Sequence, residues 1–219
     1  MSKILDVVNS DFSAGFYNHD GIQELVVANG WTPWWKQGTD QEVADGFFKR
    51  PEFKPESQRT EHGQKWFTTF ATHMAGIYQV VPTPPGAYLT LNAGAQYWSE
   101  HTDGSGGGMG LVVGIDPKGD TDPFSEWVIW GDWMGQDSRP PWDGRAWQVL
   151  SVECYAEAQR ATIYLKSECR FRAKHNDAYW NGVQLLADYG EEPPPSGLTE
   201  ESVRRILREE LANLRIKLL

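Results

Sequence analysis

Positive charge is what this sequence is shortest of. Its formal net charge is −10, and the deficit lies in the first 190 residues, which carry 15 basic against 24 acidic side chains, while the remainder is nearly balanced. Nucleic-acid binding draws most of its affinity from Lys and Arg on phosphates, and anionic membrane surfaces attract basic patches, so both partners are disfavoured. No segment approaches ~18 consecutive apolar residues, so no membrane-spanning helix or membrane insertion is expected. The opening Met1-Ser2-Lys3-Ile4-Leu5-Asp6 lacks the apolar stretch a signal peptide needs, and no Asn-x-Ser/Thr sequon occurs. Synthesis without a secretion signal of the usual kind is the expectation. Cysteine is limited to Cys154 and Cys169, too few for a disulfide framework or a zinc site built from thiols alone. A hairpin turning near Ala158 would set residue 162, not 169, opposite Cys154, so both are expected as buried, small apolar side chains.

Catalytic motifs are missing as well. There is no Gly-x-Ser-x-Gly elbow, no His-Glu-x-x-His and no phosphate-binding loop; the glycines between Gly104 and Gly110 lead into a strand rather than a helix. The histidines, His19, His62, His73, His101 and His175, lie far apart in the chain. Two carboxylates across a cleft would suffice for glycoside hydrolysis, but nothing in the sequence selects a pair. An enzyme is not expected.

What is present is turn punctuation and tryptophan. The 22 glycines and 13 prolines of the 219 residues fall between short apolar runs, the pattern of many strands joined by many turns. Strands are expected at Asp6 to Val8, Gln23 to Val27, Lys65 to Phe70, Gly76 to Val81, Tyr88 to Trp98, Leu111 to Ile115, Glu126 to Trp130, Trp147 to Tyr155, Ala161 to Lys166 and Ala178 to Leu186. The clearest alternate apolar and polar residues, as half-buried strands do: Leu150, Val152 and Cys154 on one face, then Ala161, Ile163 and Leu165. Residues 36–64 read as a long surface loop. With no helical period between the strands, the expected fold is all-β, an antiparallel sandwich or barrel over residues 1–190.

The period changes near the end. Residues 191–198, beginning Glu191-Glu192-Pro193-Pro194-Pro195, read as a proline-rich linker. From Thr199, a capping residue, to Leu219 the pattern is an amphipathic helix, with Val203, Ile206, Leu207, Leu211, Leu214 and Leu218 along one side. Such a stripe packs either on its own sandwich or against copies of itself; the stiff spacer and the charged remaining faces favour self-association, with three copies as the expected number.

Eleven tryptophans cluster in Trp31/Trp34/Trp35, Trp127/Trp130/Trp133 and Trp142/Trp147. Trp66 and Trp147, within strand text, are expected in the core. Trp34, Trp35, Trp98, Trp133 and Trp142, in or beside loops, are candidate ligand contacts, with Arg59 and His73 as candidate polar partners. An indole in a loop offers a flat face to the C–H side of a sugar ring while planar polar groups meet its hydroxyls. The same rings would equally suit a subunit contact, where Trp is also enriched. Asp116-Pro117-Lys118-Gly119-Asp120-Thr121-Asp122 has metal-like spacing without the closing glutamate of an EF-hand, and a polar turn explains it as well.

Several short motifs point further. Asn9-Ser10-Asp11-Phe12 with Gly15-Phe16, Gly30-Trp31 with Pro33-Trp34-Trp35, Tyr88-Leu89-Thr90-Leu91, Gly114-Ile115-Asp116-Pro117 and Asn176-Asp177-Ala178-Tyr179-Trp180-Asn181-Gly182-Val183-Gln184-Leu185 span residues 9–186. On these, the body resembles the jelly-roll carbohydrate-binding modules found beside xylanases and cellulases, and more closely the Trp-rich bacterial modules of that type. The resemblance implies a galactose-binding-like two-sheet sandwich with its first and last strands together, often around a structural calcium ion (Ca2+), and a glycan or polysaccharide as partner. It makes Asp11 and Asp177 the calcium candidates, although Asn181 stands where the motif usually has an aspartate. Such modules usually work outside the cell. A virion component released by lysis would reconcile an unsignalled chain with a glycan-binding sandwich and an oligomerising helix. The reading of a different class is a structural or assembly protein that uses the sandwich for subunit contacts and has no sugar site.

Overall fold

Alternating side chains turn this sequence into layers. Among the residues that the computed structural model describes, 2–57, 62–100, 108–135 and 138–188, the strands are β1 (Ser2–Ile4), β2 (Phe16–Asn18), β3 (Val26–Ala28), β4 (Thr32–Trp35), β5 (Glu52–Pro55), β6 (Gln64–Thr68), β7 (His73–Pro82), β8 (Tyr88–Ser99), β9 (Met109–Asp116), β10 (Ile129–Trp130), β11 (Gln148–Tyr155), β12 (Arg160–Cys169) and β13 (Asn176–Asp188). One short helix, α1 (Asp40–Ala44), opens with a capping box in which Thr39 and Glu42 satisfy each other's backbone N–H groups. The expected linker and the helix with Val203, Ile206, Leu207, Leu211, Leu214 and Leu218 lie outside the described residues.

Two antiparallel sheets face each other. Sheet I has the order β11-β8-β13-β6-β5 with β1 added to the far end of β13; sheet II has the order β10-β9-β12-β7-β4; β2 and β3 form a separate ribbon. Ser2 pairs with Asp188 and Ile4 with Leu186, so the first and last strands lie together as the resemblance implies. Leu89, Leu91, Ala93, Ala95 and Tyr97 of β8 point inward against Leu111, Val113 and Ile115 of β9 and Ile163 and Leu165 of β12, in one buried cluster. At roughly 25 cal/mol per Å2 of apolar surface removed from water, this shared layer is the main stabilising term.

Sequence and structure differ where pairing is long-range. Residues 36–64 hold α1 and β5 rather than one long loop, because β5 completes the edge of sheet I through Phe53 beside Trp66. Residues 147–166 do not form a hairpin: β11 pairs with β8 in sheet I, whereas β12 pairs with β7 and β9 in sheet II. Cys154 and Cys169 therefore belong to opposite sheets, and both are free and buried. Burial pushes their thiols up to about 11 and about 12, which keeps them protonated and unreactive. Asp116 accepts from the backbone N–H groups of Lys118 and Gly119, so the aspartate-rich segment begins as a polar turn.

The core contains one polar tie between the sheets. Trp66, stacked between Phe53 and Trp180, donates its indole N–H to Ser167 Oγ at 2.6 Å. The Ser167 hydroxyl meets His73 Nε2 at 2.8 Å, and His73 Nδ1 meets Thr68 Oγ1 at 2.9 Å while Thr68 donates to the Ala71 carbonyl. That set of donors assigns a neutral imidazole, Nδ1–H donating to Thr68 and Nε2 accepting from Ser167. A second ring proton would leave Ser167 with donors on two sides. Burial pushes His73 from its ordinary 6.5 down to about 3.

Two stability tests follow from these features. The unfolded chain takes up a proton at His73 below about 6.5 while the folded chain does not, so stability is full above that pH. It falls by about 1.4 kcal/mol per pH unit on acidification. Urea unfolding at pH 7 and pH 5 is expected to differ by about 2 kcal/mol, and His73→Gln should abolish most of that difference; a wild-type midpoint equal at both pH values would refute the assignment. The second concerns β13, whose register shifts between Asn181 and Val183 at Gly182, φ +58°. This bulge keeps Ala178 and Trp180 inward on one side and Val183, Leu185 and Ala187 inward on the other. Nothing lies within 4 Å of a Cβ built on Gly182, so Gly182→Ala should cost about 1 kcal/mol from backbone conformation alone.

Candidate functional site

The outward side chains of β8 and β13 build the site, because the same alternation that buries Tyr97 and Ala178 turns Trp98 and Asp177 to the outer face of sheet I. Trp98 pairs in register with Asp177, and Gln96 with Tyr179. The segment 138–147 is clamped over this end of β8. Arg139 N donates to the Tyr97 carbonyl at 2.8 Å, Ser99 N donates to Ser138 Oγ, and Gln96 Nε2 donates to the carbonyls of both Arg139 and Pro140. Asp143 closes the turn with its carboxylate on the Arg145 guanidinium and backbone N–H, and these bonds hold it at about 2, below its ordinary value. The result is a rigid perch for Trp142, 69% exposed.

Trp142 stands edge-on to Trp98 with ring centroids 5.0 Å apart, and Trp98 stacks flat on His175 at 3.9 Å and 15°. His175 lies 3.7 Å from Glu100 and 3.9 Å from Asp177. Beneath them Asp177 Oδ2 accepts from Lys65 Nζ and from the Tyr179 hydroxyl, each at 2.9 Å. Burial, then the Asp177 carboxylate, pushes Tyr179 far above its ordinary value, so the phenol stays a donor and is no base. Asp177 Oδ1 and Gln96 Oε1 are sealed without a hydrogen-bond partner. Gln96 cannot relieve this by flipping, since its NH2 is already held by two carbonyls. Fixed aromatic faces above the buried Lys65–Asp177 pair can bind a flat, partly apolar ligand, whereas the Asp177 carboxylate, sealed and held by Lys65 and Tyr179, does not reach solvent to act as a nucleophile.

The other sequence candidates are elsewhere. Trp34 is only 7% exposed, since Thr32-Pro33-Trp34-Trp35 is an edge strand and not a loop. Its ring packs with Val128 and Tyr164 on the outer face of sheet II, edge-on to Phe124. Trp35 is half-buried against the core. Trp133, 49% exposed, lies over Gly110 on sheet II, where a Cβ would come within 2.9 Å of the ring. Trp130 lies over Gly114 in the same way, with Lys166 between the two rings at 4.9 and 5.1 Å. These tryptophans cover sheet II and are not part of the Trp98 cluster. His73 is in the core network and faces no ligand. Arg59 lies outside the described residues. Trp147, expected in the core, is instead partly buried beside Gly94. Trp66 is fully buried as expected.

The calcium pair does not meet. Asp11 is exposed and accepts from Ser13, which lowers it; its neighbour Ser10 accepts from Val183 N. Val183 lies six residues along β13 from Asp177, about 20 Å, and Asp177 already has Lys65 as its cation. Among the described residues no group of three or more His, Cys, Asp or Glu could hold a metal ion. Sequence reasoning missed His175, Gln96, Lys65 and Tyr179, whose roles depend on register across β6, β8 and β13. A separate groove of about 750 Å3 between β1 and β7, lined by Ile4, Val8, Tyr78 and Val80 among others, contains none of the candidates.

No protein-family model and no curated protein matches this sequence. Solved structures do. The module TmCBM61, in complex with beta-1,4-galactotriose, superposes with a TM-score of 0.51 at 11% identity, covering 84% of this chain and 99% of that one. The Stig cyclase Fisc from Fischerella sp. TAU gives 0.51 at 15% identity over 87% of this chain and 100% of that one. The enzymatically active domain of bacteriophage CBA120 tailspike protein 4 gives 0.51 at 12%, over 84% of this chain but 22% of that one. At such identities the likeness is one of fold, and by fold the described chain is a jelly-roll sandwich like that of carbohydrate-binding modules.

Proposed function

We propose that this chain is a non-catalytic module that binds a neutral glycan on the outer face of sheet I. The observation that carries the reading is the Trp142–Trp98–His175 stack, two indoles at 5.0 Å with one ring largely open to water, set beside the exposed carboxylate oxygens of Glu100. A pyranose ring offers C–H faces to such indoles and hydroxyls to such oxygens. The acidic body, −10 overall, opposes anionic ligands. TmCBM61, a module of the same fold, is seen with a galactotriose, which supports the class of ligand without naming this one.

Two observations favour binding over turnover. Asp177 is held by Lys65 and Tyr179, and Asp143 by Arg145, so neither carboxylate is available as a base. Both thiols and His73 are buried. Display in several copies, as on a virion, would raise weak single-site affinity through effective concentration. The sequence pattern of residues 199–219 is the support for that part, with Val203, Ile206, Leu207, Leu211, Leu214 and Leu218 as contacts between copies.

Glycan-array and calorimetric binding is expected to fall by about five- to thirty-fold in Trp142→Ala and in Trp98→Ala, the loss of one stacking anchor of roughly 1–2 kcal/mol. Trp142→Ala should leave the melting temperature close to wild type. Trp34→Ala should lower stability by roughly 3 kcal/mol, as for a buried aromatic, and spare affinity. An array on which wild type and Trp142→Ala behave alike would end the reading. Light scattering on the whole chain and on residues 1–190 should give a multiple and a single subunit mass respectively; equal masses would remove self-association from the proposal.

A further inference from the structure

The two ends of the sandwich are both held rigid, yet they differ in shape and in sign of charge. At one end three loops are tied together: Phe70 N donates to the Ala173 carbonyl at 2.8 Å, Thr72 N to that of Gly46 at 2.8 Å and Arg172 Nη1 to that of Asp45 at 2.7 Å. This tip carries Val43, Phe47, Phe70 and Phe171 as exposed apolar side chains, with Phe70 65% open to water. Phe70 also has φ +51°, in the left-handed region that a bulky side chain rarely adopts. Holding an aromatic ring out of the core on a strained backbone lowers the stability of the sandwich, and such strain gathers where a molecule makes its functional contacts.

Around the apolar tip the charge is positive. Arg170-Phe171-Arg172-Ala173-Lys174 places three cations and no acid in five residues. Of the acids around α1, Glu42 is engaged in the capping box and Asp45 by Gln41, which leaves Asp40 against these three. At the other end of the sandwich lies the groove of about 750 Å3, with Ile4, Val8 and Val80 exposed along it. Gln79 straps the chain at Val8 to β7 through both ends of its amide, accepting from Val8 N at 2.7 Å and donating to the Val8 carbonyl at 3.0 Å, so the groove keeps its form. Its charge is negative: Asp6 lines it, exposed Asp120 and Asp122 flank the lining residue Thr121, and Asp188 pairs with Ser2 beside it, with Lys3 as the one cation among the lining residues.

The tip adjoins the start of β7 at His73 and the groove lies at its other end, by Val80 and Pro82, about 25 Å or more along the strand. One copy cannot place its tip in its own groove. We propose that the tip of one copy docks in the groove of the next, with Phe70 against Ile4 and Val8 and the Arg170–Lys174 segment against the aspartates. A second copy is favoured over a lipid surface because the chain as a whole, at −10, is repelled by anionic headgroups, whereas the groove offers both an apolar lining and a negative rim. Both surfaces are fixed before they meet, which keeps the ordering cost of the contact low. Unlike surfaces are joined, so the contact does not end with a pair but continues as a file or a ring of sandwiches. It uses neither Trp98 nor Trp142 and none of residues 199–219, and is thus independent of the glycan reading and of any contact those residues make.

The test is sedimentation velocity of the whole chain over about a hundred-fold range of concentration, for wild type, Phe70→Gly and Ile4→Asp. The wild-type mass should keep rising with concentration, and each variant should hold one mass throughout. Glycine suits a positive φ, so Phe70→Gly should melt at or above the wild-type temperature, which separates loss of the contact from loss of the fold. Ile4 is 62% exposed, and Ile4→Asp should melt as wild type does. Each variant keeps the surface that the other lacks, so an equimolar mixture should sediment as a mass above that of either alone. A wild-type mass that stays constant overturns the proposal, as does growth that Phe70→Gly stops and Ile4→Asp leaves unchanged, or a mixture that stays at the variants' own mass. Pelleting of wild type but not of Phe70→Gly with phosphatidylglycerol vesicles would assign the tip to a membrane and overturn it as well.

Discussion

The two-residue period of β8 is the constraint on which the rest of this molecule depends. β8 is hydrogen-bonded on both sides over Tyr88–Ala95, to β11 and to β13, and to β13 alone over its last four residues, so no residue from Tyr88 to Ala95 can turn without breaking two ladders. Its odd-numbered positions fill the space between the sheets and its even-numbered ones face out. A slip of one residue would put Leu89, Leu91 and Tyr97 in water and Trp98 in the core. The hydrophobic term that sets the register, about 25 cal/mol per Å2 summed over five inward side chains, is therefore also what aims the aromatic platform.

Two polar networks were built under that constraint, and they differ in kind. The one between the sheets, Trp66–Ser167–His73–Thr68, is neutral and closed, each hydrogen having one acceptor. It aligns the sheets at the cost of acid tolerance. The one on the outer face, Lys65–Asp177–Tyr179, is charged and has oxygens left over. Burying a charge pair is seldom a net gain in stability, so its place beneath Trp98 and His175 is better explained by the orientation it imposes on them than by stabilisation.

What could be read beforehand was local. β8, β11 and β12 declared themselves by alternation, and the all-β sandwich followed from the spacing of the strands. Trp34 was misread because Pro33 beside two tryptophans looks like a turn, whereas proline is tolerated on an edge strand such as β4. Trp147 was misread although the alternation itself places this odd-numbered position on the face opposite Leu150, Val152 and Cys154. β11 and β12 resemble a hairpin in sequence; only the free edges of β8 and β7 decide that they part to different sheets. The site itself, Gln96 beside Tyr179 and Trp98 beside Asp177, joins residues about eighty positions apart through register, which has no signature in either segment. Trp98 and Trp142 were singled out one by one, and nothing short of the fold puts them 5.0 Å from each other.

The pairing of β1 with the end of β13 brings Ser2 and Asp188 within a hydrogen bond of each other, next to Tyr88 in register. Covalent traffic into and out of the sandwich thus passes through one corner, and the Trp142 perch is at the opposite one. Mechanical load applied at Ser2 and Asp188 would bear on that corner's short β1 ladder without crossing the indoles.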